Sequence, residues 1–284
     1  MLLEVRQLRK VFAVKHSFAG TVKGFVRAVD DVSLQVDEQE SLGIVGESGS
    51  GKTTLARLIC RLYPADKGEI LFRGKPVTAS DRNYHKNVQM VFQDPYSSLD
   101  PRFSIRNIIK EGMYLHTAKV KSEQEKEIFA QELMASVQLN RDMLGRYPHE
   151  FSGGERQRIA IARALAIRPK LLILDEAVSS LDVIVQEQIL DLLSGLQKKF
   201  GLTYMFISHN LRAVKKVCNR IAVMYKGKVV EMASAENIFN RPQHPYTQQL
   251  LSAALHYQVK NPKDIILPEE GRLIDQGGGH YVLE

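Results

Sequence analysis

The chain has 284 residues, of which 44% are hydrophobic and 25% are charged, and these ordinary proportions exclude a fibrous or low-complexity protein. No apolar run approaches the roughly 18 residues of a membrane span, and the first residues lack the apolar stretch of a signal peptide, so we expect a cytoplasmic chain. The net charge is +7, but the basic residues form no long tract, which argues against a nucleic-acid partner. The only two cysteines, Cys60 and Cys218, fit a reducing compartment.

The first part of the chain contains two predicted strands and a predicted helix. Apolar residues alternate from Val29 to Val36, which indicates a half-buried strand. The apolar run from Ser41 to Val45 is a second strand that ends at Gly46. A helix follows and is closed by Pro64. Its apolar residues recur at helical spacing at Leu55, Leu58, Ile59 and Leu62.

The middle of the chain reads as charged and helical from about Arg102 to Asn140, and a further helix is predicted from Phe151 to about Ile167. The apolar stripe of the first region is expected at Ile128, Phe129, Leu133 and Val137.

Three continuous apolar runs complete the pattern, and each suits a strand covered on both faces. They are Leu171–Leu174, Tyr204–Ile207 and Ile221–Tyr225. Strands alternating with helices predict an α/β sheet with a helical insertion at 94–163. The end of the chain from about Arg241 reads as an appendage, and residues 277–279, three glycines, are expected to be flexible.

The segment Gly46–Thr53 fits the pattern of a phosphate-binding loop, G-x-x-x-x-G-K-[ST]. Its glycines let backbone N–H groups turn toward phosphate oxygens, and the following helix presents its N-terminus to the same anion. Lys52 is expected to reach the β- and γ-phosphates, and the Thr53 hydroxyl to ligate Mg²⁺. The predicted nucleotide contacts here are Gly46, Ser48, Gly49, Ser50, Gly51, Lys52, Thr53 and Thr54.

An acidic pair, Asp175 and Glu176, ends the third predicted strand. Ligands of α/β sheets bind at the carboxyl ends of strands. We therefore expect Asp175 to hold Mg²⁺, directly or through water, and Glu176 to polarise the water that attacks the phosphate.

The segment from Phe151 to Arg158 resembles the signature motif of ABC-type ATPases. In that family, the serine and glycines at this helix N-terminus contact the γ-phosphate of ATP bound to the other subunit, which implies that role for Ser152, Gly153 and Gly154. The sequence fits, because Ser152 is a good N-cap and the helix dipole favours an anion.

Other segments resemble further motifs of the family, in the expected order. Gln93 resembles the Q-loop glutamine, which senses Mg²⁺, and the resemblance implies a catalytic role for it. Residues 179–182 resemble the D-loop at the dimer interface, which implies a nucleotide contact for Asp182. His209 resembles the switch histidine that contacts the γ-phosphate. Phe12 is the candidate aromatic that stacks on adenine, with Phe18 as a rival in the loop from 16 to 25.

The resemblance covers about residues 1–255 and implies a P-loop NTPase (RecA-like) α/β core with an antiparallel β subdomain and an inserted α-helical subdomain. The implied domains are an ATP-binding core at 1–93 and 164–240, a helical signature subdomain at 94–163, and a C-terminal extension at 241–284. Two features depart from the family's usual pattern: Asn210 stands where aspartate is frequent, and 177–178 are Ala-Val rather than Pro-Thr. Neither departure removes a group that must touch phosphate.

A narrower resemblance joins two segments to the ATPases of oligopeptide, dipeptide and nickel importers. They are Asp94–Arg102 and Arg241–Leu251. Many such ATPases carry a cysteine cluster further on, but this chain has no cysteine after Cys218, so we expect no iron–sulfur site in it.

The resemblance implies an ATPase that uses ATP and Mg²⁺ at the cytoplasmic face of the inner membrane. The implied partners are a second ATPase subunit, for which a different chain is favoured over a copy, two membrane permease subunits and, indirectly, an extracytoplasmic binding protein. The cargo stays open between peptides, nickel and metal–chelator complexes. A non-transport ABC ATPase and an exporter subunit are the alternatives, whereas the signature and switch motifs argue against a GTPase or a kinase.

Overall fold

The computed structural model describes residues 1–15, 22–114, 122–256, 265–268 and 271–284. The strands of these ranges are β1 (Leu3–Lys15), β2 (Val22–Val36), β3 (Ser41–Val45), β4 (Lys67–Phe72), β5 (Lys75–Pro76), β6 (Val88–Val91), β7 (Leu171–Asp175), β8 (Thr203–Ile207), β9 (Arg220–Tyr225), β10 (Lys228–Ser234), β11 (Leu273–Asp275) and β12 (Tyr281–Leu283). The α-helices are α1 (Lys52–Ile59), α2 (Arg82–Asn87), α3 (Pro95–Ser98), α4 (Ile105–Tyr114), α5 (Glu123–Ser136), α6 (Gly153–Leu165), α7 (Val183–Phe200), α8 (Leu211–Val217), α9 (Ala235–Asn240) and α10 (Pro245–His256). Two short 3-10 helices, Arg141–Gly145 and Pro148–Glu150, precede α6.

The chain divides into two compact units. The first consists of 1–80 with 206–284, and the second of 81–205. The boundary falls within β8, all of whose residues are buried. The domain boundaries predicted from the sequence at 94–163 and 241–284 stay predictions.

The first unit contains an antiparallel sheet in the order β2-β1-β4-β5. Leu3 of β1 pairs with Val36 on one side and with Phe72 on the other. The alternation predicted for β2 is confirmed, because Val32, Leu34 and Val36 are buried while Ser33 and Gln35 between them are exposed. One face of this sheet is therefore apolar and the other solvated, as antiparallel sheets allow.

A second set of strands in the first unit follows the order β11-β12-β10-β9-β3. β3 and β9 are parallel, with Val45 opposite Val223. β10 returns antiparallel to β9, and the β11–β12 hairpin is added at the outer edge of β10. Because β3 and the parallel β9 are buried, their near-continuous apolar runs are what a covered parallel sheet requires.

The second unit contains the parallel strands β6 and β7 and a helical region. All of β7 is buried, including the apolar residues Leu171–Leu174. Burial of each of these side chains contributes about 1.5–3 kcal/mol to the free energy of folding. Helix α6 is buried along most of its length, and α3, α4 and α5 contact it.

Two predicted helix faces need correction. The helix after the phosphate loop ends at Ile59, because the backbone turns left-handed at Arg61 (φ 57°), and this turn leaves Leu62 exposed. In α5, Ile128 is exposed, whereas the buried stripe consists of Ala130, Leu133, Met134 and, just after the helix, Val137. Both the predicted stripe and the buried stripe have helical spacing and share Leu133 and Val137, so the spacing alone did not distinguish them.

One predicted loop also differs from the structure. The loop predicted from 16 to 25 gives way to β2 at Val22, and Phe25 lies in that strand with its side chain largely exposed. Residues 277–279 form the turn of the β11–β12 hairpin, and their expected flexibility stays a prediction. All three glycines have positive φ, and the Gln276 N–H donates to the His280 carbonyl across the turn at 2.7 Å.

Two further sequence expectations concern the membrane and the cysteines. Among the helices of the described ranges, none is both long and apolar enough to cross a membrane. Cys60 and Cys218 are free thiols, and both are buried. Burial raises the pKa of the Cys218 thiol well above its usual range, so this side chain is an inert part of the core.

Candidate functional site

The phosphate loop lies in the first unit, between the end of β3 at Val45 and the start of α1 at Lys52. Gly51 caps the helix in the left-handed region, with φ 106°. A Cβ atom at this position would lie 2.1 Å from the carbonyl oxygen of Ala28. Both the backbone angle and the close approach therefore require glycine. A helix N-terminus such as that of α1 favours an anion.

Lys52 has a buried side chain whose ammonium group is held by the loop itself. Its Nζ donates to the carbonyl oxygens of Gly46 (2.8 Å) and Glu47 (2.7 Å) and lies 3.4 Å from the Ser50 hydroxyl oxygen. The loop therefore already positions a buried cation beside its backbone donors. A phosphate oxygen would be a stronger acceptor for this cation than a neutral carbonyl.

The predicted switch histidine, His209, also lies in the first unit, just beyond β8. The Ser208 N–H donates to the Ile44 carbonyl of β3 (3.2 Å), which places His209 near the strand that leads into the phosphate loop. Its side chain is exposed. The next residue, Asn210, caps α8, because its Oδ1 accepts hydrogen bonds from the N–H groups of Arg212 and Ala213. An asparagine thus performs the capping that an aspartate would perform here.

In the second unit, β6 and β7 are parallel, so their carboxyl ends lie at one edge. Asp175 ends β7 and is almost fully buried, and Glu176 follows it in the left-handed region, with φ 48°. A glutamate at positive φ is strained, and such strain is concentrated at functional sites.

The predicted residues Gln93 and Glu176 are linked through Ser179. The Gln93 amide nitrogen donates to the Ser179 hydroxyl oxygen at 3.5 Å, and that hydroxyl donates to the Glu176 carbonyl at 2.9 Å. Ser179 lies in the segment 179–182 that resembles the D-loop. The structure shows that it joins the Q-loop to the backbone of the acidic pair.

The predicted N-cap at Ser152 is confirmed. Ser152 and Glu155 form a capping box at the start of α6, in which the Ser152 N–H donates to Glu155 Oε2 at 2.8 Å and the hydroxyl lies 2.7 Å from the same oxygen. The backbone N–H, and then the hydroxyl, hold the pKa of the Glu155 carboxyl below its usual range. Ser152 and Gly153 are exposed, so the helix N-terminus is accessible to a ligand.

The signature glycines pack against the start of α7. A Cβ atom on Gly154 would lie 2.5 Å from Val185 Cγ1, so only glycine fits here unless the Val185 side chain or its helix shifts. A Cβ on Gly153 would be 3.6 Å from Leu181, an ordinary contact. Asp182 caps α7 by accepting the Val185 N–H at 3.0 Å. The structure therefore brings the signature and the D-loop segment together, while nucleotide contact by Asp182 stays a prediction.

The proposed adenine-stacking residue, Phe12, lies in β1 and is about one-third exposed, at 37%. Its ring meets the edge of Tyr63 at a centroid distance of 5.8 Å, and Lys10 Nζ lies 5.5 Å from the ring. One part of the ring is thus occupied and another is accessible. Its rival Phe18 lies outside the described residues.

The predicted Mg²⁺ ligands are Thr53, Gln93 and Asp175, which offer a hydroxyl, an amide and a carboxylate oxygen. Hard oxygen donors of this kind are what Mg²⁺ prefers, usually with water and phosphate oxygens completing the shell. Each of these three residue types can therefore ligate the metal.

Sequence reasoning missed one contact of the phosphate loop. Tyr246, at the start of α10, is buried, and its hydroxyl oxygen accepts a hydrogen bond from the Glu47 N–H at 3.0 Å. In the sequence, Tyr246 belongs to the segment Arg241–Leu251 that resembles importer ATPases. That resemblance does not indicate the contact between α10 and the loop.

Comparison with known protein families identifies the class. Residues 29–179 match the model of the ABC transporter family, and residues 230–278 match that of the oligopeptide/dipeptide transporter C-terminal region. The chain belongs to the ABC transporter family and is an ATPase whose ATP hydrolysis is coupled to transport.

Its relatives include ATP-binding proteins of peptide transport. The chain is 48% identical over 258 residues to the oligopeptide transport ATP-binding protein OppF of Bacillus subtilis, covering 89% of this chain and 82% of OppF. It is 46% identical to the dipeptide transport ATP-binding protein DppF of Lactococcus lactis, covering 86% of this chain and 81% of DppF.

Solved structures confirm the fold class. CbiO1 of Clostridium perfringens, part of an ABC transporter complex, has a TM-score of 0.70 at 26% identity and covers 84% of this chain and 91% of its own. The dimeric cassette MJ0796 has a TM-score of 0.71 at 24% identity and covers 82% of this chain and 99% of its own. The P-loop NTPase fold predicted from the sequence is thus confirmed.

Proposed function

We propose that this chain is the ATP-hydrolysing subunit of an importer of oligopeptides or dipeptides. The observation that carries the proposal is the match of residues 230–278 to the oligopeptide/dipeptide transporter C-terminal region. The relatives of peptide transport at 46–48% identity support it. Nickel and metal–chelator complexes, which the sequence resemblance also allowed, are weaker alternatives because neither match names them.

The proposed site binds the phosphates of ATP at Gly46–Thr54 and uses Lys52 to offset their charge. Glu176 accepts a hydrogen bond from the attacking water and then takes its proton. The water oxygen forms a bond to the γ-phosphorus as the bond from that phosphorus to the β–γ bridging oxygen breaks, and ADP and phosphate are the products. His209 donates to a γ-phosphate oxygen. When bound, Mg²⁺ supplies additional charge neutralisation, and Thr53, Gln93 and Asp175 would hold it.

The proposed assembly pairs this chain with a second ATPase subunit, each ATP lying between one phosphate loop and the partner's signature segment. The exposed N-terminus of α6 at Ser152 and Gly153 supports this arrangement, because helix N-terminal donors bind anions. A different partner chain is favoured over a copy. The pair would act on two permease subunits at the cytoplasmic face of the inner membrane, with an extracytoplasmic binding protein acting indirectly.

The first experiment tests the catalytic roles in purified protein. Glu176→Gln should retain ATP binding and lose hydrolysis, and Lys52→Ala should lose nucleotide binding. Glu132→Gln, which changes an exposed carboxylate of α5 outside the proposed site, is the matched control. Near-normal turnover in Glu176→Gln would refute the role of that glutamate.

The second experiment tests the assembly by size-exclusion chromatography of Glu176→Gln with and without MgATP. A shift from monomer to dimer would show that the chain pairs with itself. No shift in protein that binds ATP would support the different partner chain that we favour.

The cargo is tested by uptake in cells that lack this chain. Loss of uptake of labelled di- or oligopeptides, restored by the wild-type chain and not by Glu176→Gln, is the expected result. Normal peptide uptake together with loss of nickel uptake would overturn the peptide proposal.

A further inference from the structure

The C-terminal segment contacts the phosphate loop at one peptide group, the one that joins Gly46 to Glu47. Its carbonyl oxygen accepts from Lys52 Nζ at 2.8 Å, and its N–H donates to the Tyr246 hydroxyl oxygen at 3.0 Å. The peptide is therefore held from both sides. One of these two hydrogen-bond partners is Lys52, and the phosphates of the nucleotide would attract its ammonium group away from the carbonyl oxygen.

Tyr246 is itself fixed by packing. Its side chain is buried, and its ring stacks on Tyr225, at the end of β9, with a centroid distance of 4.1 Å. Burial raises the pKa of Tyr246 to about 12, so the hydroxyl stays protonated. The Tyr246 N–H donates to His244 Nδ1 at 3.1 Å, and burial lowers the pKa of His244, which keeps that nitrogen available as an acceptor.

A buried carboxylate anchors the turn that precedes Tyr246. Glu231 of β10 is fully buried, and its two oxygens accept the N–H groups of Gln243 (2.9 Å) and His244 (3.0 Å). His280, just before β12, lies 2.6 Å from the same carboxylate through Nε2. Its Nδ1 lies 3.3 Å from the Gln243 amide nitrogen. Hydrogen bonds thus run from the C-terminal hairpin through Glu231 and His244 to Tyr246.

We propose that Tyr246 is a positioning residue for nucleotide binding, which keeps the Gly46–Glu47 peptide in its binding orientation when Lys52 turns to the phosphates. The inference rests on the proposed binding of ATP at this loop. Tyr246 does not touch the nucleotide in this scheme. It acts through the Glu47 N–H, and the anchored segment 243–247 supplies the rigidity.

The physical reason is preorganisation. A loop whose backbone donors are already oriented loses less conformational freedom when the phosphates arrive. Removing the Tyr246 hydroxyl leaves the Glu47 N–H without its protein partner, so part of the binding free energy is used to reorder the loop. The affected quantity is nucleotide affinity, more than the rate of the chemical step.

The test is Tyr246→Phe in the full chain, which removes one oxygen and keeps the ring that stacks on Tyr225. Tyr204→Phe is the matched control, because the Tyr204 hydroxyl of β8 is also buried and donates to a backbone carbonyl, that of Leu193, at 2.9 Å. Both variants lose one buried tyrosine hydrogen bond. Only the first loses a contact with the phosphate loop.

The measurements are the Kd for MgADP by isothermal titration calorimetry, which avoids turnover, the KM and kcat for ATP, and the melting temperature. Tyr246→Phe should raise the Kd and the KM roughly threefold to tenfold, the size expected for one net hydrogen bond, with a smaller change in kcat. Tyr204→Phe should lower the melting temperature and leave the Kd unchanged.

Two results would overturn the inference, and Lys52→Ala distinguishes them. An unchanged Kd in Tyr246→Phe, beside weakened binding in Lys52→Ala, would refute the positioning role alone. Unchanged binding in Lys52→Ala would refute the proposed phosphate loop itself and, with it, the role of Tyr246.

Discussion

Replacing Ser152 with alanine separates the two roles of this residue, as the cap of α6 and as a proposed ligand of the partner's nucleotide. The change removes the hydroxyl that contacts Glu155, but leaves the hydrogen bond from the Ser152 N–H to Glu155 Oε2 at 2.8 Å. Loss of an N-cap side chain lowers the free energy of unfolding by about 1 kcal/mol. We therefore expect a fall of roughly 2–4 °C in melting temperature.

The chain contains a matched control in α5. Ser122 and Glu125 form the same capping box, in which the Ser122 N–H donates to Glu125 Oε2 at 3.0 Å and the Glu125 N–H donates to the Ser122 hydroxyl at 3.1 Å. Ser122→Ala should therefore lower the melting temperature by a similar amount. It should leave ATP hydrolysis unchanged, because α5 is not part of the proposed site.

The assay compares the two variants in thermal unfolding and in steady-state ATP hydrolysis. Ser152→Ala should lose roughly tenfold or more of its ATPase activity, because a phosphate-binding donor is removed as well as a cap. Wild-type ATPase activity in both variants would refute the phosphate role of Ser152. An equal loss of activity in both variants would also refute it, because helix stability alone would then account for the loss.

Three further predictions follow from the packing and charges of the described residues. Gly154→Ala should lower the free energy of unfolding by about 1–3 kcal/mol, because the added methyl group overlaps Val185. Adding Val185→Ala to this variant should restore much of the lost stability. Urea unfolding of the single and double variants measures this, and additive losses would contradict the prediction. The pKa of Glu155 is lowered in the folded chain, so the ionised side chain stabilises the fold above the ordinary pKa of about 4.3, and this stabilisation is lost as the pH falls through the lower folded pKa. Glu155→Gln should therefore flatten the fall in melting temperature below about pH 4.3. An unchanged pH profile in this variant would exclude Glu155 as the source of that fall. Asn210→Asp should keep the cap of α8 and match the wild type in urea unfolding, whereas Asn210→Ala should cost about 1 kcal/mol; equal stability of the two variants would show that the cap contributes nothing.

Contiguous motifs were readable from the sequence alone. The phosphate loop, the acidic pair after β7 and the signature segment are short, because each function needs neighbouring backbone donors or side chains at the end of one element. The N-cap at Ser152 and the apolar strands were predicted for the same reason, since local spacing and a single capping residue determine them. The family and the fold class followed from these segments.

Helix faces and chain ends depended on tertiary packing. Leu62 has the right spacing for the buried face of α1, but the left-handed turn at Arg61 leaves it exposed. Ile128 is apolar and exposed, because helix packing selected the neighbouring stripe of α5 instead. The glycines at 277–279 form the turn of a hairpin that pairs with β10, and the sequence did not indicate this hairpin, which uses their positive φ angles.

The contacts that organise the candidate site across long distances in sequence were decided by the tertiary structure. Tyr246 lies 199 residues beyond Glu47, and His280 lies 49 residues beyond Glu231. No local sequence pattern indicates which turn contacts which loop, because these contacts depend on how β9, β10 and the C-terminal hairpin pack in the first unit. The sequence thus determined the chemistry of the phosphate loop, and the fold determined which side chain holds its backbone in place.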